Sequence, residues 1–351
     1  MLSHLDREGN CVRALRVVSP NTVEIQEVPD LSPGVGEILL DVDRVGICGT
    51  DVELFTGEMA YFQSGRTTFP VQLGHEWTGI VTAVGVGVSS EWIGKRVTGD
   101  TMLGCGLCAR CASGKTYLCD ERIELGITDG WGGALAEQML IPERFAFEVP
   151  ESISVAAAAM IEPAGNSLRC VEATGLGENQ KLLILGAGTI GLLAAQFGLA
   201  KNLEVHVAGS RQSALDLARK IGVLHTHTIE EVKRKPLREY DAVIDASSDA
   251  QMPSLALQKV LPGGRVVLIG LSEAPSVIDT KIAVLQDVTI VGILSASPGL
   301  QGAIDYFASG AVNPEPLISE VIGMNQVMDR LKGNRNPDAK PGPKIHVDPR
   351  L

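Results

Sequence analysis

Apolar and polar residues alternate in short runs over the first hundred positions. ALRVVSPNTVEIQEVP (14–29) and GEILLDVDRVGIC (36–48) read as strands parted by Pro/Gly turns, and HEWTGIVTAVG (75–85) and GKRVTGD (94–100) continue the pattern. Such spacing predicts a β-rich, barrel-like domain. The period changes near Pro150. SVAAAAMIEPAGNSLRCVEA (154–173) has helical spacing, and apolar strands then alternate with helices. The strands are KLLIL (181–185), EVHVA (204–208), DAVIDA (241–246), RVVLIG (265–270) and VTIVGI (288–293), with a shorter one at HTHTI (225–229). TIGLLAAQFGLAK (189–201) and SALDLARKIG (213–222) are helices between them. Near-continuous apolar strands of this kind belong to a parallel sheet covered on both faces. After Leu294 the alternation stops, leaving helices at 299–310 and 325–331, a polar loop at 333–343 and a last strand at 343–348. The expected fold class is α/β, a doubly wound parallel sheet plus a β-rich domain.

Composition narrows the function. With 351 residues and 45% hydrophobic content, the chain can build two cores. A formal net charge of −12, with no Lys/Arg cluster, would repel a polyanion, so no nucleic-acid partner is expected. No apolar run approaches the ~18–20 residues that span a bilayer. The start, MLSHLDREGNC, lacks a basic-then-apolar leader pattern and reads as an extension. A cytoplasmic protein without a membrane partner is expected.

Gly186-Ala187-Gly188-Thr189-Ile190-Gly191 fits G-x-G-x-x-G and stands between an apolar strand and a helix, the context in which that pattern binds a dinucleotide. Gly186 permits the turn, Gly188 lets backbone approach a pyrophosphate, and Gly191 lets helix and strand pack. Unpaired N–H groups of the helix start face the phosphates. An NAD-binding unit usually places Asp or Glu about 20 residues on, to hold the ribose diol. Here Gly209 stands there, followed by Ser210 and Arg211. Arg211 can pair with a 2′-phosphate and Ser210 can donate to it, so NADP(H) is expected over NAD(H).

Of seven cysteines, four are clustered: Cys105, Cys108, Cys111 and Cys119. In a reducing compartment this spacing argues for metal rather than disulfides, and four thiolates close a tetrahedron around one structural Zn²⁺. A second set is dispersed: Cys48 in GICGTD, His75-Glu76 in GHE, and Glu162-Pro163. A lone Cys is usually apolar filler; only the combination carries weight.

In that combination the chain, from about Ala14 to Asp348, resembles the zinc-containing medium-chain dehydrogenases/reductases, on their polyol, sugar and threonine dehydrogenase branch. The resemblance implies a GroES-like catalytic domain at 14–155, a Rossmann domain at 156–294, and a return of 295–351 to the catalytic domain. It implies that Cys48 and His75 ligate a catalytic zinc, with Glu76 and Glu162 as ligands or near-ligands. Glu162 stands where the alcohol-dehydrogenase branch has Cys. Thr50 would hydrogen-bond a substrate hydroxyl and Asp51 would orient the site. The family's GGxAE pattern appears as Gly132-Gly133-Ala134-Leu135-Ala136-Glu137. Two positions depart from the pattern. Glu53 replaces a relay His and is a candidate substrate contact or altered relay. Asn166 replaces a small or hydroxyl residue near the nicotinamide. Ser295 is a further candidate at the cofactor or substrate, and the loop 59–69, Trp77 and Trp131 are expected to wall the pocket.

The expected activity is zinc-dependent hydride transfer between NADP(H) and a secondary alcohol or ketone of a polyol, sugar or cyclitol. The cofactors would be two Zn²⁺ per chain, one catalytic and one structural, and the partners a small-molecule alcohol or carbonyl compound and further copies in a homodimer or homotetramer. An NADPH-dependent carbonyl reductase of a specialised pathway is the nearest alternative. A non-catalytic binding protein on the same scaffold is a third, which the full ligand set argues against.

Overall fold

The structure is a computed structural model that describes residues 11–351; the first ten residues of the N-terminal extension lie outside the described residues. Packing divides the chain into two units. One holds the described residues up to Glu162 together with Glu320–Ala339 and Ile345–Leu351, the other Pro163–Ser319 and Lys340–Lys344.

The first unit opens with β1 (Cys11–Ser19) and β2 (Thr22–Pro29), an antiparallel hairpin turning at Asn21 with φ 62°. The long β3 (Glu37–Ile47) leads into α1 (Gly49–Thr56) and α2 (Ala60–Ser64). Next come β4 (Val71–Gln72), which joins the free edge of β1, then β5 (Glu76–Val84) and β6 (Arg96–Gly99). A lobe follows: β7 (Met102–Leu103), α3 (Ala109–Ala112) and β8 (Ile123–Glu124). Then β9 (Gln138–Pro142) and β10 (Ala146–Glu148) complete the segment. β3 pairs antiparallel with both β5 and β9. Its inward residues Ile38, Leu40 and Val42 join Leu15, Phe55, Leu73 and Trp77 in one core. The helical stretch after Pro150 is broken into α4 (Val155–Ala158) and α5 (Ile161–Thr174).

In the second unit strands and helices alternate as the sequence predicts: β11 (Lys181–Leu185), α6 (Thr189–Ala200), β12 (Glu204–Gly209), α7 (Gln212–Lys220), β13 (His225–Thr228), α8 (Ile229–Arg234) and β14 (Tyr240–Asp245). They continue as α9 (Met252–Lys259), β15 (Val260–Leu268), α10 (Thr280–Leu285), β16 (Thr289–Gly292) and α11 (Leu300–Ala308). The sheet is parallel, in the order β13-β12-β11-β14-β15-β16. Counted within the unit this is 3-2-1-4-5-6, the doubly wound order whose switch point lies outside the carboxyl ends of the first and fourth strands. Leu182, Leu183, Ile184 and Leu185 are fully buried because both faces of β11 are covered.

The chain returns to the first unit at Glu320, later than the 295 expected from the family resemblance. Residues 295–319 stay with the second unit because Arg169 donates to the Ser295 carbonyl and Gly299 sits on Gly165, where a Cβ would meet the Gly165 carbonyl at 2.3 Å. The other boundary falls after Glu162 rather than 155. The returning chain takes up β17 (Ile318–Ile322) from Glu320 onward, α12 (Val327–Leu331), and β18 (Lys344–Val347) from Ile345 onward. The main sheet of the first unit runs β10-β6-β5-β3-β18-β17. The hydrophobic pattern does not predict β17: five residues of alternation between a Pro and a Gly do not stand out as a strand. β18 pairs Ile345 with Ile47, and so braces the strand that delivers Cys48.

Candidate active site and metal centres

Cys48 sits where β3 gives way to α1. Its Sγ accepts from Thr50 N at 3.3 Å, while Asp51 Oδ2 accepts from Cys48 N at 2.9 Å, a reciprocal cap that fixes both side chains. His75 arrives on the turn before β5. That turn requires Gly74, at φ 103°, since a Cβ there would meet Leu135 N at 2.7 Å. The GGxAE segment props it: Ala134 N donates to Gly74 O at 2.7 Å and Leu135 N to Leu73 O at 2.9 Å. A Cβ on Gly133 would lie 2.2 Å from Leu73 O, so this pattern shapes the His75 turn.

The two elements bring Cys48 Sγ within 3.0 Å of His75 Nε2. Asp51 Oδ1 lies 3.6 Å from His75 Nδ1, beyond hydrogen-bond range, and one donor atom each of Cys48, Asp51 and His75 falls within 4.8 Å of the others. Burial acts to lower the His75 pKa. The charges of Cys48 and Asp51, the bond to Cys48 and the charge of Glu162 outweigh it and hold the value well above the usual one. Glu162, in the first turn of α5, and Glu76 are both buried. Glu76 faces Gly46 across β3 and β5, where a Cβ would strike its carboxylate at 2.2 Å. A half-buried sulfur, a buried imidazole and buried carboxylates fit a dication, and the S/N/O set is the kind zinc takes.

Thr50 and Glu53 lie on α1, both partly exposed. Trp77 does not wall a pocket. It is 1% exposed and belongs to the core, with Cζ2 2.7 Å from where a Cβ on Gly99 would sit. Glu76 and Trp77 are neighbours on a strand and therefore face opposite sides. Trp131 is partly buried and donates to Leu140 O at 2.7 Å. In the loop 59–69, Phe62 and Phe69 stack at 4.4 Å.

In the lobe, the sulfurs of Cys105, Cys108, Cys111 and Cys119 all lie within 4.8 Å of one another. Cys105–Cys111 is 4.0 Å and Cys108–Cys119 is 3.8 Å. Both are far beyond a disulfide, and both match the roughly 3.8 Å edge of a tetrahedron with Zn–S bonds of about 2.3 Å. Backbone N–H groups already favour negative sulfur. Those of Leu107 and Cys108 lower the Cys105 pKa to about 6, and that of Cys111 lowers Cys108. Burial pushes Cys111 up to about 11. Gly104 leaves room for the cluster: a Cβ there would sit 2.8 Å from Cys111 Sγ.

In the second unit a cavity of about 280 Å³ lies at the strand ends. Gly186, Gly188, Gly209, Ser210 and Arg211 line it. Gly186 has φ 112° and abuts the Ala246 carbonyl, and a Cβ on Gly191 would lie 1.9 Å from Gly186 O. Beside Gly188 there is open space, the room a pyrophosphate needs. Thr189 and Ile190 open α6. Arg211 caps α7 and is exposed. Gly209 has a packing reason too, since its Cβ would meet Ala187 at 3.0 Å and Leu215 at 3.2 Å. Ala246, Ser247 and Asp249, which follow β14, complete the wall. None of the three carries a sequence motif of its own; their signal is position alone, since residues after the fourth strand of such a sheet are where the switch point opens. Asn166, on α5, and Ser295, buried with its Oγ 3.0 Å from that of Ser297, are not among the lining residues.

Residues 34–151 match the alcohol dehydrogenase GroES-like domain and residues 189–309 the zinc-binding dehydrogenase domain. The starvation-sensing protein RspB of Escherichia coli K12 is 28% identical, over 91% of this chain and 94% of its own. The L-threonine 3-dehydrogenase of Saccharopolyspora erythraea is 32% identical, over 80% and 83%. Two solved structures align with 97% of this chain and 100% of theirs. One, described as a zinc-binding dehydrogenase, is from Sinorhizobium meliloti 1021 bound to NADP, at 28% identity and TM-score 0.88. The other is the rspB alcohol dehydrogenase of Escherichia coli CFT073 with NADH, at 27% and 0.87. No described helix is long and apolar enough to cross a membrane.

Proposed function

Since the chain belongs to the zinc-containing medium-chain dehydrogenases/reductases, we propose that it passes a hydride between NADP(H) and the secondary alcohol or ketone of a polyol, sugar or cyclitol. The observation that carries the reading is the 3.0 Å approach of Cys48 Sγ to His75 Nε2, with Asp51 beside the ring and buried carboxylates nearby. A bound Zn²⁺ supplies Lewis acidity toward a substrate oxygen, and a bound nicotinamide exchanges hydride at the adjoining carbon. Cys48 and His75 would hold that zinc with Glu76 or Glu162, and the four lobe cysteines a second, structural one. Asp51, 3.6 Å from His75 Nδ1, would orient the ring by its charge. Thr50 would meet the reacting hydroxyl, and Glu53 and Asn166 would meet further polar groups of substrate or cofactor. Glu162 in place of a thiolate and the threonine dehydrogenases among the relatives both support a secondary alcohol with a polar neighbour.

The relatives include both an NADH and an NADP complex, so kinship leaves the cofactor open. Gly209 offers no acceptor to a ribose diol, and Arg211 lines the same cavity, which favours the 2′-phosphate. Arg211 is exposed, so its contribution falls at the low end for a charged hydrogen bond. Arg211→Ala is expected to weaken NADP(H) about tenfold and leave NAD(H) nearly unchanged. Fluorescence titration of both cofactors reads this, and equal loss for the two overturns the assignment. A steady-state panel of sugars, cyclitols, L-threonine and ethanol tests the substrate class; higher kcat/KM for ethanol than for every compound with adjacent hydroxyls would overturn it.

A further inference from the structure

Next to the strand that carries the ribose turn lies a cluster of side chains that hydride transfer does not use. Glu204 and His206 are two apart on β12, and His225 and His227 two apart on β13, so each pair shares a face of its strand. The parallel register sets His206 against His225 and Ala208 against His227. Glu204 Oε1 lies 2.9 Å from His206 Nε2, and one donor atom each of Glu204, His206 and His225 falls within 4.8 Å of the others. The His206 and His225 rings are stacked, with centroids 4.4 Å apart. The other ring nitrogen of His206, Nδ1, is 3.1 Å from His227 Nε2. His206 is buried and His225 exposed, so the cluster opens to solvent on one side.

We propose that Glu204, His206 and His225 form a surface site for a borderline first-row dication such as Zn²⁺ or Ni²⁺, with His227 holding the His206 ring from behind. Two imidazoles and one carboxylate beside open water are a donor set for ions of that kind, with water completing the coordination. A ligating imidazole works best when its second nitrogen is fixed, and His227 does that. The opposing charges are Lys181, 3.6 Å from Glu204 Oε1, and Lys235, whose charge acts on His227. Lys181 is partly exposed and sits on a flexible stem, so it can swing to solvent as a cation enters. β12 ends at Gly209 and β13 runs into Ile229, both lining the dinucleotide cavity, so a cation bridging the two strands stiffens the ribose end of that cavity.

The test is a calorimetric titration of the untagged, zinc-loaded protein with Ni²⁺ in a non-chelating buffer, with resident zinc measured after desalting. One Ni²⁺ per chain is expected to bind without releasing zinc and to raise Tm. Glu204→Gln and exposed His225→Ala are each expected to weaken Ni²⁺ at least about tenfold and to abolish the Tm rise, with zinc content and basal turnover unchanged. His227→Gln is expected to weaken Ni²⁺ less than either. Absence of Ni²⁺ binding in the wild type, or identical binding in wild type and His225→Ala, would mean that the stacked rings only pack one strand on the next, and overturns the site.

Discussion

Cys48 has two duties at one atom. Its sulfur caps α1 and points at His75, so a test of its proposed role as a metal ligand must separate them. Cys48→Ser keeps a capping acceptor, whereas Cys48→Ala also loses a cap of about 1 kcal/mol. Both variants are expected to fold, hold about one zinc per chain by elemental analysis and lose turnover. Cys108→Ala should instead lower Tm and solubility, because a closed thiolate site contributes folding free energy; a single zinc in fully active wild type would contradict both. Asp245 is a different case. It is buried at the end of β14, and burial raises its pKa from 3.8 to about 6 despite bonds from Ser247 N and Oγ. Between those values the unfolded chain ionises and the folded one stays protonated, so stability falls as pH rises through this window and is level above it. At about 1.4 kcal/mol per pH unit the effect reaches roughly 3 kcal/mol. Asp245→Asn keeps an acceptor for Ser247 and removes the charge. Its advantage over wild type in urea unfolding should therefore grow from about pH 4 to pH 6 and then stay constant. An advantage of the same size at every pH would show that the carboxyl ionises normally in the folded protein.

At the level of elements, the turn from β11 to α6 shows how three similar glycines do unlike work. Gly191 is pressed on the Gly186 carbonyl, so Gly191→Ala forces backbone against backbone and should cost about 3 kcal/mol along with dinucleotide binding. Gly188 meets nothing within 4 Å and has φ −90°, which any residue adopts. Gly188→Ala is therefore expected to leave Tm unchanged while weakening NADP(H) at least about tenfold, because its methyl enters the space of the phosphates. Parallel Tm and cofactor titrations decide it, and a Gly188→Ala protein that binds NADP(H) normally would show that the phosphates sit elsewhere. The strand-turn-helix pattern and the glycine spacing made this element legible in advance. The turn that presents His75 was not, because what shapes it is the 133–135 segment, some sixty residues downstream.

For the molecule as a whole, the second unit leaves β16 as an open sheet edge, with Ile290 on the strand and Val284, Leu285 and Leu294 exposed beside it. An apolar parallel-sheet edge of this kind invites pairing with another chain. A second copy meeting it about a two-fold axis would continue the sheet and close the assembly. The protein is therefore expected to sediment as a homodimer or a dimer of dimers, and Leu285→Glu combined with Ile290→Lys to sediment as a monomer that still binds dinucleotide. A monomeric wild type would refute the pairing.

Local sequence determined much of this protein. The period of hydrophobic residues set the strand–helix alternation of 181–293, and the spacing of Cys105, Cys108, Cys111 and Cys119 was enough to bring four sulfurs together, because short loops have little freedom to place their ends apart. The glycine motif carried its own context for the same reason. What only the tertiary structure decided lies between distant segments. Cys48 meets His75 because β3 and β5 pair with Gly46 opposite Glu76, past two register shifts, and that pairing depends on packing across the whole first unit. Trp77 turned inward because its neighbour Glu76 faces Gly46. Residues 295–319 stayed with the second unit because small residues there let the chain seat on α5. Periodicity reports which face of an element is buried; which partner buries it is settled by long-range packing.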